Sequence, residues 1–205
     1  ADLLPVKSPG YTLIVHPEHR GGAFEKSLLQ NCETTMWQRM RAEGSTETSV
    51  SISVAECDKE RINCLTSLGY RMTKRESEMR RRSLYEPIPS GVLPEGFALC
   101  SVAGEHESDL LAEVHSSAFD SKWTAESYLE VMQAPSFKID NELVVVAPDG
   151  RFAAFLIYWL DPISKSGLFE PVGCHKDFRR RGLTKALMLE GMKRMIDAGM
   201  ETALV

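Results

Sequence analysis

The chain has 205 residues, 43% of them hydrophobic, with 24 basic against 29 acidic side chains and a formal net charge of −5. That is ordinary soluble globular composition, and its acidic balance argues against nucleic-acid binding, which uses a basic face. The five cysteines (Cys32, Cys57, Cys64, Cys100, Cys174) form no CxxC pair and no His/Cys cluster, the apolar run "FAAFLIYWL" is too short to span a bilayer, and "ADLLPVKSPG" lacks the regions of a signal peptide; disulfides, a metal site and a membrane span are therefore not expected, and the cytoplasm is the simplest home.

From the N-terminus, "YTLIVHPE" reads as a strand, rich in β-branched residues. A helix is expected from about Ala23 to Arg41, then an alternating strand in "TSVSISVAE" and a short helix in "DKERINCLTSL" with Gly69 as its C-terminal cap. "YRMTKRESEMRRRSL" reads as one or two exposed strands. "YEPIPSGVLPEG" (85–96) carries three prolines and two glycines and reads as a linker. It divides the chain into an expected first unit, 1–86, and a second, 87–205.

Past the linker come a short strand, "FALCSVAG", and a helix over "HESDLLAEVHSSAF" with Leu110, Leu111 and Val114 on one face. In "WTAESYLEVMQA", Thr124 suits a helix N-cap, and Trp123 and Tyr128 fall at the two positions of a hydrophobic staple. "ELVVVAPDGRFAAFLIYWL" is two strands joined at Pro-Asp-Gly, a hairpin signal. "SGLFEPVG" is a further strand. A helix follows, starting near Arg180, with Leu187, Met188, Met192, Met195 and Ile196 on an apolar arc, and "ETALV" begins a last strand.

Two segments repeat. "HPEHRGGAFEKSL" (16–28) and "HKDFRRRGLTKAL" (175–187) share HxxxRxxxxxKxL, each after a strand and before a helix. In the second, three arginines and Gly182 meet a helix start. The first turn of a helix has unpaired N–H groups and the positive end of the dipole, so it receives anions. Neither GxxxxGK[ST] nor GxGxxG is present. The same arginine triplet in "EMRRRSL" shows that such a run can also be plain solvated surface.

"VGCHKDFRRRGLTKAL" resembles motif A of the GNAT acetyltransferase superfamily, a strand followed by a [QR]xxGx[GA] loop and a helix. Arg179 and Gly182 match two motif positions, and Thr184 stands where Gly or Ala is usual. The resemblance covers residues 96–205 and implies an α/β fold of the α+β kind: a mixed, mostly antiparallel twisted sheet flanked by helices. It implies acetyl-CoA as acyl donor, held by Arg179, Arg180, Arg181, Gly182, Leu183 and Thr184. Val172, Gly173 and Cys174 would hold the pantetheine arm by their backbone. It implies direct transfer to the amine of a small molecule or peptide, without a metal, with Glu170 as base. Cys174 is expected as an apolar filler rather than a nucleophile. The family's tyrosine acid would lie beyond Val205, so no acid is nominated.

Residues 11–84 resemble the latter part of a second, degenerate GNAT unit, so that the chain holds two incomplete units. "VHPEHRGGA" matches a common V-H-P-x-x-R-G form. Ala23 replaces the glycine, Glu25 stands where Gly or Ala belongs, and Leu65 takes the tyrosine's place. A carboxylate there repels a diphosphate. The fifth strand of the second unit would leave a sheet edge unpaired. That points to a fragment of a longer tandem protein, or to strand exchange in a homo-oligomer. An N-acetyltransferase and a non-catalytic module that binds CoA or a protein partner are both open on sequence grounds.

Overall fold

The computed structural model describes residues 9–73 and 78–205. It divides into two compact units, Ala1–Glu76 and Ser77–Val205.

In the first unit, β1 (Gly10–Tyr11) and β2 (Ser51–Ile52) pair in parallel, and α1 (Ala23–Ala42) and α2 (Lys59–Ser67) supply the helices. α2 starts where Asp58 accepts a hydrogen bond from the Arg61 N–H at 3.1 Å, satisfying one of the helix's orphan donors. The core is small: Leu29, Cys64 and Leu65 are buried, with Tyr11, Leu13, Ile52 and Val54 against them. The strands expected through "YTLIVHPE" and "TSVSISVAE" shrink to two residues each. Among the described residues each segment has only the other as a ladder partner, so pairing stops at Gly10↔Ser51 and Tyr11↔Ile52.

The second unit contains β3 (Arg81–Ser83), β4 (Ala98–Ser101), α3 (Ser108–Phe119), α4 (Ala125–Met132), β5 (Glu142–Val146), β6 (Phe152–Asp161), β7 (Ser166–Cys174), α5 (Leu183–Asp197) and β8 (Thr202–Leu204). The strands form one sheet in the order β3-β8-β7-β6-β5-β4, antiparallel throughout except for β7 beside β8. This is the mixed, mostly antiparallel sheet with flanking helices that the resemblance implies. Strand alternation sends Leu143 and Val145 to a core shared with Leu187 and Met195 of α5. Val144 faces the other way, to a core shared with Leu111 and Val114 of α3 and Tyr128 of α4.

Local signals behave as their chemistry requires. Thr124 and Ser127 form a capping box at α4, and the Trp123 and Tyr128 rings close the staple at 5.7 Å between centroids. Three expectations need correction. β8 is not an open edge, because β3 pairs with it antiparallel over Arg81↔Leu204 to Ser83↔Thr202; the strand-exchange argument loses its premise. Of "YRMTKRESEMRRRSL" only Arg81–Ser83 is a strand, residues 70–73 are not, and 74–77 lie outside the described residues. Ile196 is 39% exposed, so the buried arc of α5 runs through Leu183, Ala186, Leu187, Leu189, Met192 and Met195 instead. The proline-rich stretch 85–96 is no bare tether either. Its Ile88 and Leu93 pack against the core of the second unit.

Candidate active site

β7 carries the first part of the site. Its ladder with β6 slips between Leu156↔Val172 and Tyr158↔Phe169, so β7 holds one extra residue at Glu170–Pro171. Such a bulge re-aims every side chain beyond it. Phe169 and Val172 accordingly face the same core, against the usual alternation. Gly173 then faces α3. A Cβ there would come within 2.9 Å of the Ala118 Cβ and collide with the Phe155 ring, so only glycine lets α3 and β6 close on this strand. β7 pairs with β8 only over Ser166–Leu168. From Phe169 to Cys174 its other edge has no strand beside it among the described residues, so the peptide groups that alternate to that side have no ladder partner.

The turn after β7 is pinned from several sides. The His175 N–H donates to the Ala153 carbonyl at 2.9 Å, and the His175 Nδ1 accepts from the Asp177 N–H at 3.2 Å. The Lys176 N–H reaches the Ser117 hydroxyl at 3.1 Å. Arg179 donates from Nη2 to the Ala118 carbonyl at 2.9 Å and from Nε to the Cys174 carbonyl at 3.4 Å.

The expected helix start near Arg180 is corrected by three residues. Arg180 has φ 63° and Gly182 φ 79°, both left-handed, so the chain makes a compact turn and α5 begins at Leu183. Where left-handed residues alternate with right-handed ones, successive N–H groups turn toward one side, and such turns receive anions. The first N–H groups of α5 add to these, having no intrahelical acceptor. The turn is open to solvent: Arg179, Arg180, Arg181 and Gly182 are all exposed. Beside it lies a cleft of about 410 Å³. Val172, Gly173 and Cys174 line one wall; Arg179, Arg180, Gly182, Leu183 and Thr184 line another; Ala118, Phe119 and Met188 complete it. The sequence reading missed those last three. The position of Ala118 and Phe119 at the end of α3 follows from tertiary packing and leaves no sequence signal.

The arginine triplet divides by role. Arg179 is committed to two carbonyls. Arg181 lies over the rings of Phe97 and Phe178, at 5.8 and 5.7 Å from their centroids. Arg180 makes no hydrogen bond or ion pair with a described residue and is the cation most available to a solute. Burial pushes the Cys174 thiol up, ahead of the lowering by Arg179 and Arg181, so it stays protonated at neutral pH and is a poor nucleophile. Glu170 stands exposed at the bulge, its carbonyl accepting from the Trp159 Nε1–H at 2.6 Å.

A buried pair lies under α4. The Tyr128 hydroxyl donates to Glu142 Oε1, and Glu142 is fully buried with no partner for Oε2 among the described residues. Burial pushes the Glu142 carboxyl up to about 7. No periodicity or motif marks this pair in the sequence. Among the described residues, no His/Cys/Asp/Glu group of three or more is placed to hold a metal, and no helix is long and apolar enough to cross a membrane.

The chain is similar to known proteins in sequence and in fold. Residues 108–205 match the Acetyltransferase (GNAT) family. The mycothiol acetyltransferase of Salinispora arenicola is 24% identical over 205 residues, covering 94% of this chain and 62% of that protein. The mycothiol acetyltransferase of Segniliparus rotundus is 26% identical over 137 residues, 62% of this chain and 51% of that protein. The chain thus spans between about half and three-fifths of the length of these relatives. Among solved structures, a GCN5-related N-acetyltransferase from Sphaerobacter thermophilus superposes with a TM-score of 0.74 at 21% identity, over 95% of this chain and 62% of that one. A tandem GNAT protein from the clavulanic acid biosynthesis pathway gives 0.68 at 13% identity, over 97% and 66%.

Proposed function

We propose that the second unit, which carries the GNAT domain, is an acetyl-CoA-dependent N-acetyltransferase acting on a primary amine of a small molecule or peptide. The observation that carries the reading is the exposed turn at Arg180–Gly182, opening on a cleft whose far wall is the unpaired edge of β7. Turn amides and the start of α5 suit a diphosphate. Those peptide groups of 172–174 that alternate away from β6 suit the amides of a pantetheine arm, which needs donors and acceptors along an extended strand. Arg180 and Thr184 line the cleft, and Leu183, buried, starts α5 beside them. The five cysteines are unpaired, which fits a reducing cytoplasm.

The chemistry asks for an amine freed of its proton and placed against the thioester carbon. Nitrogen then bonds to the acetyl carbon, the C–S bond breaks, and CoA leaves as a thiol after gaining a proton. Glu170 is the group proposed to receive the ammonium proton, directly or through water. Glu170→Gln is expected to lower kcat about 10²-fold while leaving acetyl-CoA affinity unchanged; equal kcat in the two proteins removes Glu170 from the reaction.

The direct test has two steps. Acetyl-CoA titrated by calorimetry, with CoA protection of Cys174 from alkylation, reads coenzyme binding in the cleft. Thiol release is then followed over a panel of amines that includes mycothiol-related ones, because the named relatives are mycothiol acetyltransferases. Protection without thiol release from any amine would leave the unit a CoA-binding module. Arg180→Ala is expected to weaken coenzyme binding, most at low salt, with Tm unchanged. Arg179→Ala is expected to lower both, because its guanidinium ties α3 to the end of β7.

The first unit reads as a second copy of the same strand–turn–helix device. His16 and His175 have the same backbone, φ −54° with ψ 138° and 137°. A short 3-10 turn follows each, at Pro17–His19 and Lys176–Phe178. Arg20 donates from Nε to the Val15 carbonyl at 3.1 Å, as Arg179 does to Cys174. Gly21, at the place of Arg180, is left-handed too, with φ 71°.

A further inference from the structure

We propose that the Glu25 carboxylate is a built-in anion that occupies the turn of the first unit, so that this turn takes no diphosphate and the chain binds one coenzyme, at the second unit. The inference rests on reading the two turns as copies.

Its starting point is what happens to the amide that faces outward in each copy. The Gly21 N–H, counterpart of the Arg180 N–H, donates to Glu25 Oε2 at 2.6 Å. The other carboxylate oxygen accepts from Arg61 Nε at 2.6 Å. Glu25 is completely buried and the Arg61 side chain only 11% exposed. Arg61 also donates from Nη1 to the Leu13 carbonyl at 2.8 Å. The carboxylate therefore holds the two partners a phosphate oxygen would want: a turn amide and a guanidinium. Thr184 stands at the corresponding place in the second copy, and its short side chain leaves the turn open.

Lack of room does not explain the difference. A cleft of about 670 Å³ lies beside the first turn, lined by Arg20, Gly21, Lys26 and Asn63 among others, against about 410 Å³ at the second. Space and basic side chains are both there. What differs is that the Gly21 amide is already taken by Glu25, and a diphosphate approaching it would meet that carboxylate and the Glu60 carboxylate that also lines the cleft. The arrangement also explains why a glutamate is tolerated on the buried side of α1 near its start: the charge is paired, hydrogen-bonded and close to the positive end of the helix.

Hydrogen exchange read by mass spectrometry on the whole chain tests this, with CoA and inorganic pyrophosphate as probes. In the wild type, ligand is expected to protect the peptide over 176–188 and leave 17–29 unchanged. Glu25→Thr, which copies position 184, is expected to expose 17–29 about tenfold or more. It frees Gly21 and Arg61 for an anion, so added pyrophosphate should restore protection. Glu25→Gln keeps an acceptor oxygen without the charge and is the arm least at risk of unfolding; it too should exchange faster at 17–29. Protection of 17–29 by either probe in the wild type overturns the proposal. So does a folded Glu25→Thr chain that pyrophosphate leaves unprotected, or Glu25→Gln exchanging at the wild-type rate. Should CoA fail to protect 176–188, the coenzyme reading of the second unit falls, while exchange at 17–29 in the two variants still decides the role of Glu25.

Discussion

Gly182→Glu is expected to abolish measurable acetyl-CoA binding, a loss of at least 100-fold in affinity, while the chain stays folded. Two separate quantities support that split. The folding penalty is small: a Cβ on Gly182 meets no atom within 4 Å, leaving only the cost of a side chain in the left-handed region, about 1–2 kcal/mol. The binding penalty is larger. A carboxylate placed a few ångströms from each of two phosphates, in a cleft of intermediate dielectric, opposes binding by about 1–4 kcal/mol for each charge pair. The new side chain can also turn back onto the amides of α5, as Glu25 does onto Gly21 in the first unit. Calorimetric titration beside a thermal melt reads both. Equal affinity in the wild type and the variant would place the coenzyme elsewhere and remove the turn as its cradle.

The fold around the candidate site was legible in the sequence wherever short-range chemistry decides structure. Thr124 and Ser127 cap α4 through groups three residues apart, and the repeated HxxxRxxxxxKxL marks two turns whose backbones agree to about a degree at the histidine. Non-local decisions left no such trace. Arg180 reads as a helical residue, yet takes a left-handed conformation because the turn around it is held by Ala118, Ala153 and Ser117 from other elements. The bulge at Glu170–Pro171 flips the parity of β7, and only the register with β6 shows that Val172 and Phe169 share a face. Arg81–Ser83 looks like solvated charge until β8, about 120 residues later in the chain, pairs with it. The sequence places a carboxylate, Glu25, at the first turn, but not its hydrogen bonds, because Arg61 reaches it from a different helix.

The second large effect is a loss of stability on going from acid to neutral and alkaline pH, carried by Glu142. Its carboxyl is buried beneath α4, meets the Tyr128 hydroxyl, feels the negative charge of Glu107, and has His115 beyond Tyr128, with 6.2 Å between those rings. Burial moves it from an ordinary 4.5 to about 7; Glu107 adds to the rise and the Tyr128 hydrogen bond opposes it. Burial also lowers His115 from its ordinary 6.5, and the comparison with Glu142→Gln, which keeps His115, separates its contribution from that of Glu142. A raised acid makes the folded state hold a proton that the unfolded state has released. The contribution is thus complete below about pH 4.5, falls between 4.5 and 7, and is gone above 7, a change of about 3 kcal/mol. Glu142→Gln cannot ionise, so the difference between its stability and that of the wild type should widen in the variant's favour over that window and then level off. Tyr128→Phe removes the group that steadies the ionised form. That variant should lose about 1–3 kcal/mol even below pH 7, where a buried carboxyl is left without its partner, and its fall, still beginning near pH 4.5, should extend to higher pH. Denaturant unfolding from pH 4.5 to 8.5 reads all three proteins. Parallel curves for the wild type and Glu142→Gln would mean that Glu142 is already ionised inside the fold, and that water or a rearranged α4 solvates it.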